Sequence, residues 1–124
     1  MMPKKILVIE DDKDIRDTIM FTLQRRGYEV IASENAKILK TVKDIDPDLI
    51  LLDNWLSDWK SDANGQQLSK ELKSSQATAH IPVVIISAVS NIREISEAAL
   101  ADGYLKKPFE LEELIGVAER FVRK

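Results

Sequence analysis

Residues 6–15 read ILVIEDDKDI, and this stretch decides the fold. Four apolar residues run directly into three acids, Glu10, Asp11 and Asp12. The apolar, largely β-branched run predicts a buried strand. Two carboxylates about 5 Å apart repel by roughly 3 kcal/mol at an effective dielectric constant near 20. A strand that ends in such like charges therefore indicates that something positive offsets them.

Strand and helix patterns alternate five times along the chain. The strand patterns fall at 5–9, 28–33, 48–53, 82–87 and 104–106, and the helical patterns at 11–27, 35–46, 65–76, 91–103 and 109–124. Short connections between alternating elements predict a parallel sheet with helices on both faces. Strands 1, 3 and 4 are apolar throughout and belong in the centre, whereas strand 2 is mixed and strand 5 is short. The expected fold is α/β, a flavodoxin-like (βα)5 doubly wound sheet with strand order 2-1-3-4-5.

Several residues predict where the helices begin and end. Asp12 is placed to cap the first helix and Gly27 to end it, and Pro47 ends the second. Asn91 and Glu94 stand in capping-box positions at the start of the fourth. The last helix is the clearest, with one apolar face formed by Leu111, Leu114, Ile115, Ala118, Phe121 and Val122.

The bulk composition excludes several classes of protein. The 124 residues suit a single domain, so we expect 1–124 to form one unit without an effector domain. The net charge of -3 argues against a nucleic-acid binder, and the absence of cysteine excludes disulfides and thiolate chemistry. No apolar stretch approaches the length needed to span a bilayer, so we expect a cytoplasmic protein.

The predicted topology gathers a specific set of side chains at one edge of the sheet. Ligands of this fold bind beyond the carboxyl ends of the strands, near the switch point between strands 1 and 3. The residues that follow the central and last strands are Glu10, Asp11, Asp12, Asp53, Ser87, Lys106 and Lys107. Hard oxygen ligands without histidine or cysteine suit Mg²⁺, which would keep the acids ionised. A divalent cation, a lysine and a hydroxyl together suit a phosphoryl group.

The blocks ILVIEDDKDIRDTI, PDLILLD, PVVIISA and YLKKPF resemble, in order, those of receiver domains of two-component response regulators. The resemblance covers essentially the whole chain and is closest to single-domain, chemotaxis-type regulators. It implies that Asp53 accepts a phosphoryl group from the phosphohistidine of a sensor histidine kinase or a histidine phosphotransfer protein.

The same resemblance implies further roles. Asp11 would hold Mg²⁺ directly and Glu10 would hold it through water, with Asp53 and the backbone carbonyl of Trp55 as further ligands. Ser87 would hydrogen-bond the phosphoryl group, and Lys107 would pair with it. The bond before Pro108 is expected to be cis, and Tyr104 matches an aromatic switch position. Tyr104 serves equally well as an edge-strand packing residue.

The segment after Asp53 departs from the family pattern. Ser57 replaces a common proline, Asn64 replaces an aspartate, and Gly65 arrives about four residues late. Bulky apolar residues, Trp55 and Val89, stand two positions after Asp53 and Ser87. We expect them to slow autodephosphorylation by limiting the access of water.

The leading hypothesis is a phosphorylation-dependent interaction switch rather than an enzyme. Its downstream target would be an unknown protein, without direct DNA binding or membrane contact. The alternative is a degenerate receiver that only binds partners. A phosphohydrolase is disfavoured because the D-x-D at residues 12–14 falls at the start of the first helix rather than at the first strand. A flavin carrier is disfavoured because acids after the first strand would repel phosphate.

Overall fold

The computed structural model describes residues 3–54 and 65–122. Within these ranges five strands alternate with five α-helices. The strands are β1 (Lys5–Ile9), β2 (Glu29–Ser33), β3 (Leu49–Asp53), β4 (Val83–Ser87) and β5 (Gly103–Lys106). The helices are α1 (Lys13–Arg25), α2 (Val42–Ile45), α3 (Gly65–Ser74), α4 (Ile92–Ala98) and α5 (Leu111–Phe121). All strand pairs are parallel and the order is β2-β1-β3-β4-β5, which confirms the predicted topology.

The three central strands bury both of their faces. Successive side chains of a strand point to opposite faces, so one set faces α1 and α5 and the other faces α2, α3 and α4. The first core contains Ile6, Val8, Leu49, Leu51, Val84 and Ile86 packed with Ile19, Leu23, Leu114 and Ala118. The second contains Leu7, Ile9, Ile50, Leu52, Val83 and Ile85 packed with Val42, Leu72 and Ala99. This two-sided burial explains why β1, β3 and β4 are apolar without alternation.

Helix α1 begins and ends where the sequence predicts. The Asp12 side chain accepts a hydrogen bond from the Ile15 amide at 3.0 Å, as an N-cap does. Gly27 has a φ of 95°, and its amide donates to the Gln24 carbonyl at 3.0 Å. A residue without a side chain is favoured there because positive φ crowds Cβ.

The second helical segment differs from the prediction of one amphipathic helix. Residues 36–41 form a 3₁₀ helix, and only the four residues of α2 continue as α-helix. The Thr41 hydroxyl donates to the Ile38 carbonyl at 3.0 Å, and such a local bond competes with regular α-helical pairing. Asp46 then adopts a left-handed conformation with φ 51° and ends α2 just before Pro47.

The predicted capping box of α4 is wrong. Asn91 has φ -98° and ψ 35°, outside the extended region that an N-cap needs, and its side chain makes no capping bond. A capping box forms instead at α5, between Glu110 and Glu113. On the apolar face of α5, Leu114, Ala118 and Val122 are buried. Ile115 and Phe121 are partly buried, and Leu111 at the first position is 47% exposed.

No helix in the described part of the chain combines the length and the apolar character needed to cross a bilayer.

Candidate functional site

Three carboxylates meet at the carboxyl ends of β1 and β3. Ile9 pairs with Leu52 in the parallel register, so Glu10 and Asp53 follow side by side. Glu10 is completely buried and Asp53 is 3% exposed, while Asp11 is partly exposed. One oxygen from each of Glu10, Asp11 and Asp53 lies within 4.8 Å of the others. Sequence reasoning placed these acids at one edge, and the fold brings them within reach of a single ion.

Lys107 supplies the positive charge that the acids require. Its Nζ lies 3.0 Å from Oε1 and 3.2 Å from Oε2 of Glu10, and 3.6 Å from Oδ2 of Asp53. The lysine follows β5, where its amide donates to the Ser87 carbonyl at 2.8 Å. The Lys107–Pro108 peptide bond is cis. The ammonium thus bridges the acids that follow two different strands.

The environment of Lys107 changes its pKa in two opposing ways. Partial burial lowers the pKa, since it disfavours the charged ammonium. The hydrogen bond to Glu10 and the charges of Asp53, Glu10 and Asp11 raise the pKa by more. The net pKa lies above the ordinary lysine value, so Lys107 carries its charge at neutral pH.

Ser87 lines the same cavity as the acids and Lys107. It is 5% exposed, and its hydroxyl oxygen accepts a hydrogen bond from the Val89 amide at 3.3 Å. That bond leaves the hydroxyl hydrogen available as a donor. The cavity is lined by Glu10, Asp11, Asp12, Asp53, Ser87, Ala88, Val89 and Lys107. The cavity therefore combines carboxylates with an ammonium and a hydroxyl.

Two residues at this edge were not predicted from sequence. Arg16 on α1 donates from Nη1 to the carbonyl oxygen of Glu10 at 2.9 Å and approaches that of Asp11 at 3.5 Å. Gly65 opens α3 against the end of β3, and its amide donates to the Asn54 carbonyl at 3.1 Å. An arginine in a helical pattern is usually a solvated side chain, so nothing in the sequence predicts the contacts of Arg16. The late position of Gly65 is evident from the sequence, but its contact with the end of β3 is not.

The remaining predicted residues lie apart or outside the described ranges. Tyr104 is on β5, 44% exposed, beside a cleft that Lys106, Glu113 and Arg120 also line. This position is away from the acids, on the outer edge of the sheet. Trp55 lies outside the described residues. Lys106, the last residue of β5, is exposed.

The donor set fits a hard divalent cation. The three clustered ligand residues offer only carboxylate oxygens, which suit Mg²⁺ better than softer metals. Mg²⁺ keeps several waters, so two or three protein ligands suffice. Exposed acids cluster without metals in many proteins, but here Glu10 and Asp53 are both buried. Buried carboxylates need paired or coordinated charge.

The chain belongs to the response regulator receiver domain family, whose model matches residues 6–119. It is 33% identical to the phosphate regulon transcriptional regulatory protein PhoB of Pseudomonas aeruginosa over 129 aligned positions. That alignment covers 100% of this chain and 54% of PhoB. The chain thus spans about half of the length of this curated relative. The chain is therefore a receiver domain of two-component signalling.

Solved structures show the same fold. The receiver domain of NtrX from Brucella abortus is 36% identical, with a TM-score of 0.82 over 96% of this chain and 98% of that one. The receiver domain of the sensor histidine kinase PA1611 from Pseudomonas aeruginosa has a TM-score of 0.84 and 23% identity. This match covers 99% of this chain and all of that one, whose structure carries a magnesium ion in its active site cleft.

Proposed function

We propose that this protein is a phosphorylation-dependent switch in which Asp53 accepts a phosphoryl group. The donor would be the phosphohistidine of a sensor histidine kinase or a histidine phosphotransfer protein. One observation carries the proposal: the buried Asp53 carboxylate lies within reach of Glu10, Asp11 and the Lys107 ammonium. A carboxylate so placed faces a cationic neighbour and lines a cavity that could admit a phosphodonor.

The transfer would make one bond and break one. A carboxylate oxygen of Asp53 attacks phosphorus, and the bond between phosphorus and the donor imidazole nitrogen breaks. The nitrogen keeps the bonding electron pair and takes up a proton from solvent. The product is an acyl phosphate on Asp53. Because the phosphoryl group carries its charge on peripheral oxygens, the acceptor site acts mainly by positioning and by charge neutralisation.

Glu10, Asp11 and Asp53, with the backbone carbonyl of Trp55, would hold Mg²⁺. When bound, the ion supplies positive charge that neutralises the phosphoryl oxygens. The chemistry of the three clustered carboxylates supports this assignment. The magnesium ion recorded in the PA1611 receiver domain is consistent with it.

Lys107 and Ser87, which line the same cavity as the acids, would bind the attached phosphoryl group. Lys107 would transfer its ion pair from the Asp53 carboxylate to a phosphoryl oxygen, a movement of a few ångströms for a flexible side chain. The Ser87 hydroxyl would donate to another phosphoryl oxygen. Both assignments rest on the shared cavity and on the charge of Lys107.

Phosphorylation would replace the single negative charge of the Asp53 carboxylate with the nearly two negative charges of the attached phosphoryl group. It would thereby shift a pre-existing equilibrium between two conformations. Tyr104 would report this shift to the face formed by α4, β5 and α5, where an unidentified protein target would bind. The exposure of Tyr104 beside a surface cleft supports that role.

We propose no direct DNA contact by this domain, since its net charge is -3. A cytoplasmic location stays a prediction from the sequence.

Intact mass spectrometry after incubation with acetyl phosphate and Mg²⁺ tests the proposal. We expect one phosphoryl adduct, absent in Asp53→Asn and absent with EDTA. Asp12→Asn is the matched control, because Asp12 is an acid of the same loop that caps α1 instead. Its adduct should form at a rate within a few-fold of wild type. An adduct that survives Asp53→Asn, or no adduct at all, would favour the degenerate, binding-only receiver.

A further inference from the structure

The peptide that joins Glu10 to Asp11 is fixed by a side chain from α1. The Glu10 amide closes the pairing with β2 by donating to the Ser33 carbonyl at 3.0 Å. The strand pairing of β1 with β3 ends one residue earlier, at Ile9. Beyond that point the carbonyl of Glu10 needs another donor, and Arg16 provides it at 2.9 Å. Its Nη1 also approaches the Asp11 carbonyl at 3.5 Å.

Arg16 stands where a cation is not favoured by the helix itself. It belongs to the first turns of α1, and its own amide donates to the Asp12 carbonyl at 2.9 Å. The N-terminal end of a helix carries partial positive charge, which disfavours a guanidinium there. The neighbouring acids offset this cost, and the guanidinium is directed onto two consecutive carbonyls. The guanidinium of Arg16 therefore stabilises the loop after β1 rather than α1 itself.

We propose that Arg16 is a positioning residue for the metal site, an inference that rests on the proposed Mg²⁺ binding by Glu10, Asp11 and Asp53. By contacting the carbonyls of Glu10 and Asp11, Arg16 fixes the orientation of the two consecutive peptides on either side of Asp11. The side chains of both acids are then held toward Asp53 before an ion arrives. Outer groups that orient metal ligands commonly change metal affinity by 10–100-fold when they are removed.

The direction in which Mg²⁺ affinity changes when Arg16 is replaced distinguishes a positioning role from a purely electrostatic one. Arg16 is a cation close to a cation site, so its repulsion alone would weaken Mg²⁺ binding. Replacing it with a neutral residue would then tighten binding. If Arg16 positions the acids, the same replacement weakens binding despite the lost repulsion. The two effects oppose each other, and only one of them can dominate.

The test is Mg²⁺ titration of the unphosphorylated, full chain, followed by tryptophan fluorescence. Both tryptophans of the chain, Trp55 and Trp59, follow Asp53 closely in sequence. We expect Arg16→Met to raise the dissociation constant for Mg²⁺ about tenfold. Arg16→Lys keeps the charge and one donor, so it should recover part of the affinity. Arg25→Met is the matched control, since Arg25 lies on the same helix with its guanidinium over the Phe21 ring.

Circular dichroism of each variant shows whether it is folded, and Arg16→Lys keeps the test decisive if Arg16→Met does not fold. Unchanged or tighter Mg²⁺ binding in Arg16→Met would overturn the inference. An equal loss of affinity in Arg25→Met would overturn it too, because the effect would then be general to α1. Absence of Mg²⁺ binding in the wild type would overturn the proposed metal site itself, and with it the role of Arg16.

Discussion

Replacing Lys107 by methionine should destabilise the protein strongly when no divalent cation is present. At an effective dielectric constant near 20, unit charges 3.0 Å apart attract by about 5.5 kcal/mol and those 3.6 Å apart by about 4.6 kcal/mol. Removing water from the Lys107 side chain, which is 18% exposed, cancels much of this gain. Breaking a buried ion pair typically costs about 3–5 kcal/mol, and the remaining exposure favours the lower end. We expect Lys107→Met to lower the free energy of unfolding by about 3 kcal/mol.

Urea denaturation in EDTA, followed by circular dichroism, measures this change. Lys106→Met is the matched control: the neighbouring lysine is exposed, so its replacement should change stability by less than about 0.5 kcal/mol. Adding Glu10→Gln to Lys107→Met should recover part of the loss, because the buried carboxylate is then neutral. A loss in Lys107→Met no larger than that in Lys106→Met would refute the reasoning.

The direction of the Lys107 pKa shift determines how the stability difference between wild type and Lys107→Met depends on pH. Folding raises the pKa of Lys107, so the folded state binds this proton more tightly than the unfolded state does. The stabilisation is complete below the ordinary lysine pKa and is lost as the pH rises through the raised value. The gap between wild type and Lys107→Met should therefore persist at neutral pH and shrink only in strongly alkaline solution.

Three further predictions concern Gly65 beside the end of β3, Leu100 after α4, and Val89 at the cavity. A Cβ on Gly65 would lie 2.5 Å from the Asp53 carbonyl oxygen, so Gly65→Ala should lower the melting temperature and slow phosphorylation by acetyl phosphate. Gly116→Ala, in open space on α5, should instead raise stability by about 0.5–1 kcal/mol. Leu100 has φ 60° and is 53% exposed, so Leu100→Gly should raise the urea midpoint by relieving a cost of about 1 kcal/mol. Val89, 40% exposed at the cavity, should limit water access, so Val89→Asn should shorten the lifetime of the phosphorylated protein several-fold, as measured by phosphate release.

The sheet was predictable because its signals are local and strong. β1, β3 and β4 are uninterrupted apolar runs, and only a central position buries both faces of such strands. Parallel topology then brings the strand ends together, which is why Glu10, Asp53 and Lys107 could be grouped from positions far apart in sequence. Which residues meet in the cluster therefore follows from the strand order.

The parts that sequence missed depend on contacts between a side chain and a distant or irregular backbone. The 3₁₀ start of the second helical segment reflects a Thr41 hydroxyl bond that competes with the helix. Asn91 has the right residue type for a cap but the wrong backbone angles. Arg16 reaches carbonyls five and six residues earlier, across the turn into α1. Residue type and spacing alone do not predict such contacts between side chains and backbone.

Locating the phosphoryl group on the chain tests the central claim most directly. Borohydride reduces an acyl phosphate of aspartate to homoserine, so the treated protein can be digested and its peptides sequenced by mass spectrometry. The proposed function predicts homoserine at position 53 after incubation with acetyl phosphate and Mg²⁺, and aspartate there without the phosphodonor. Homoserine at Asp11 or Asp12 instead, or at no position, would contradict the assignment of Asp53 as the acceptor.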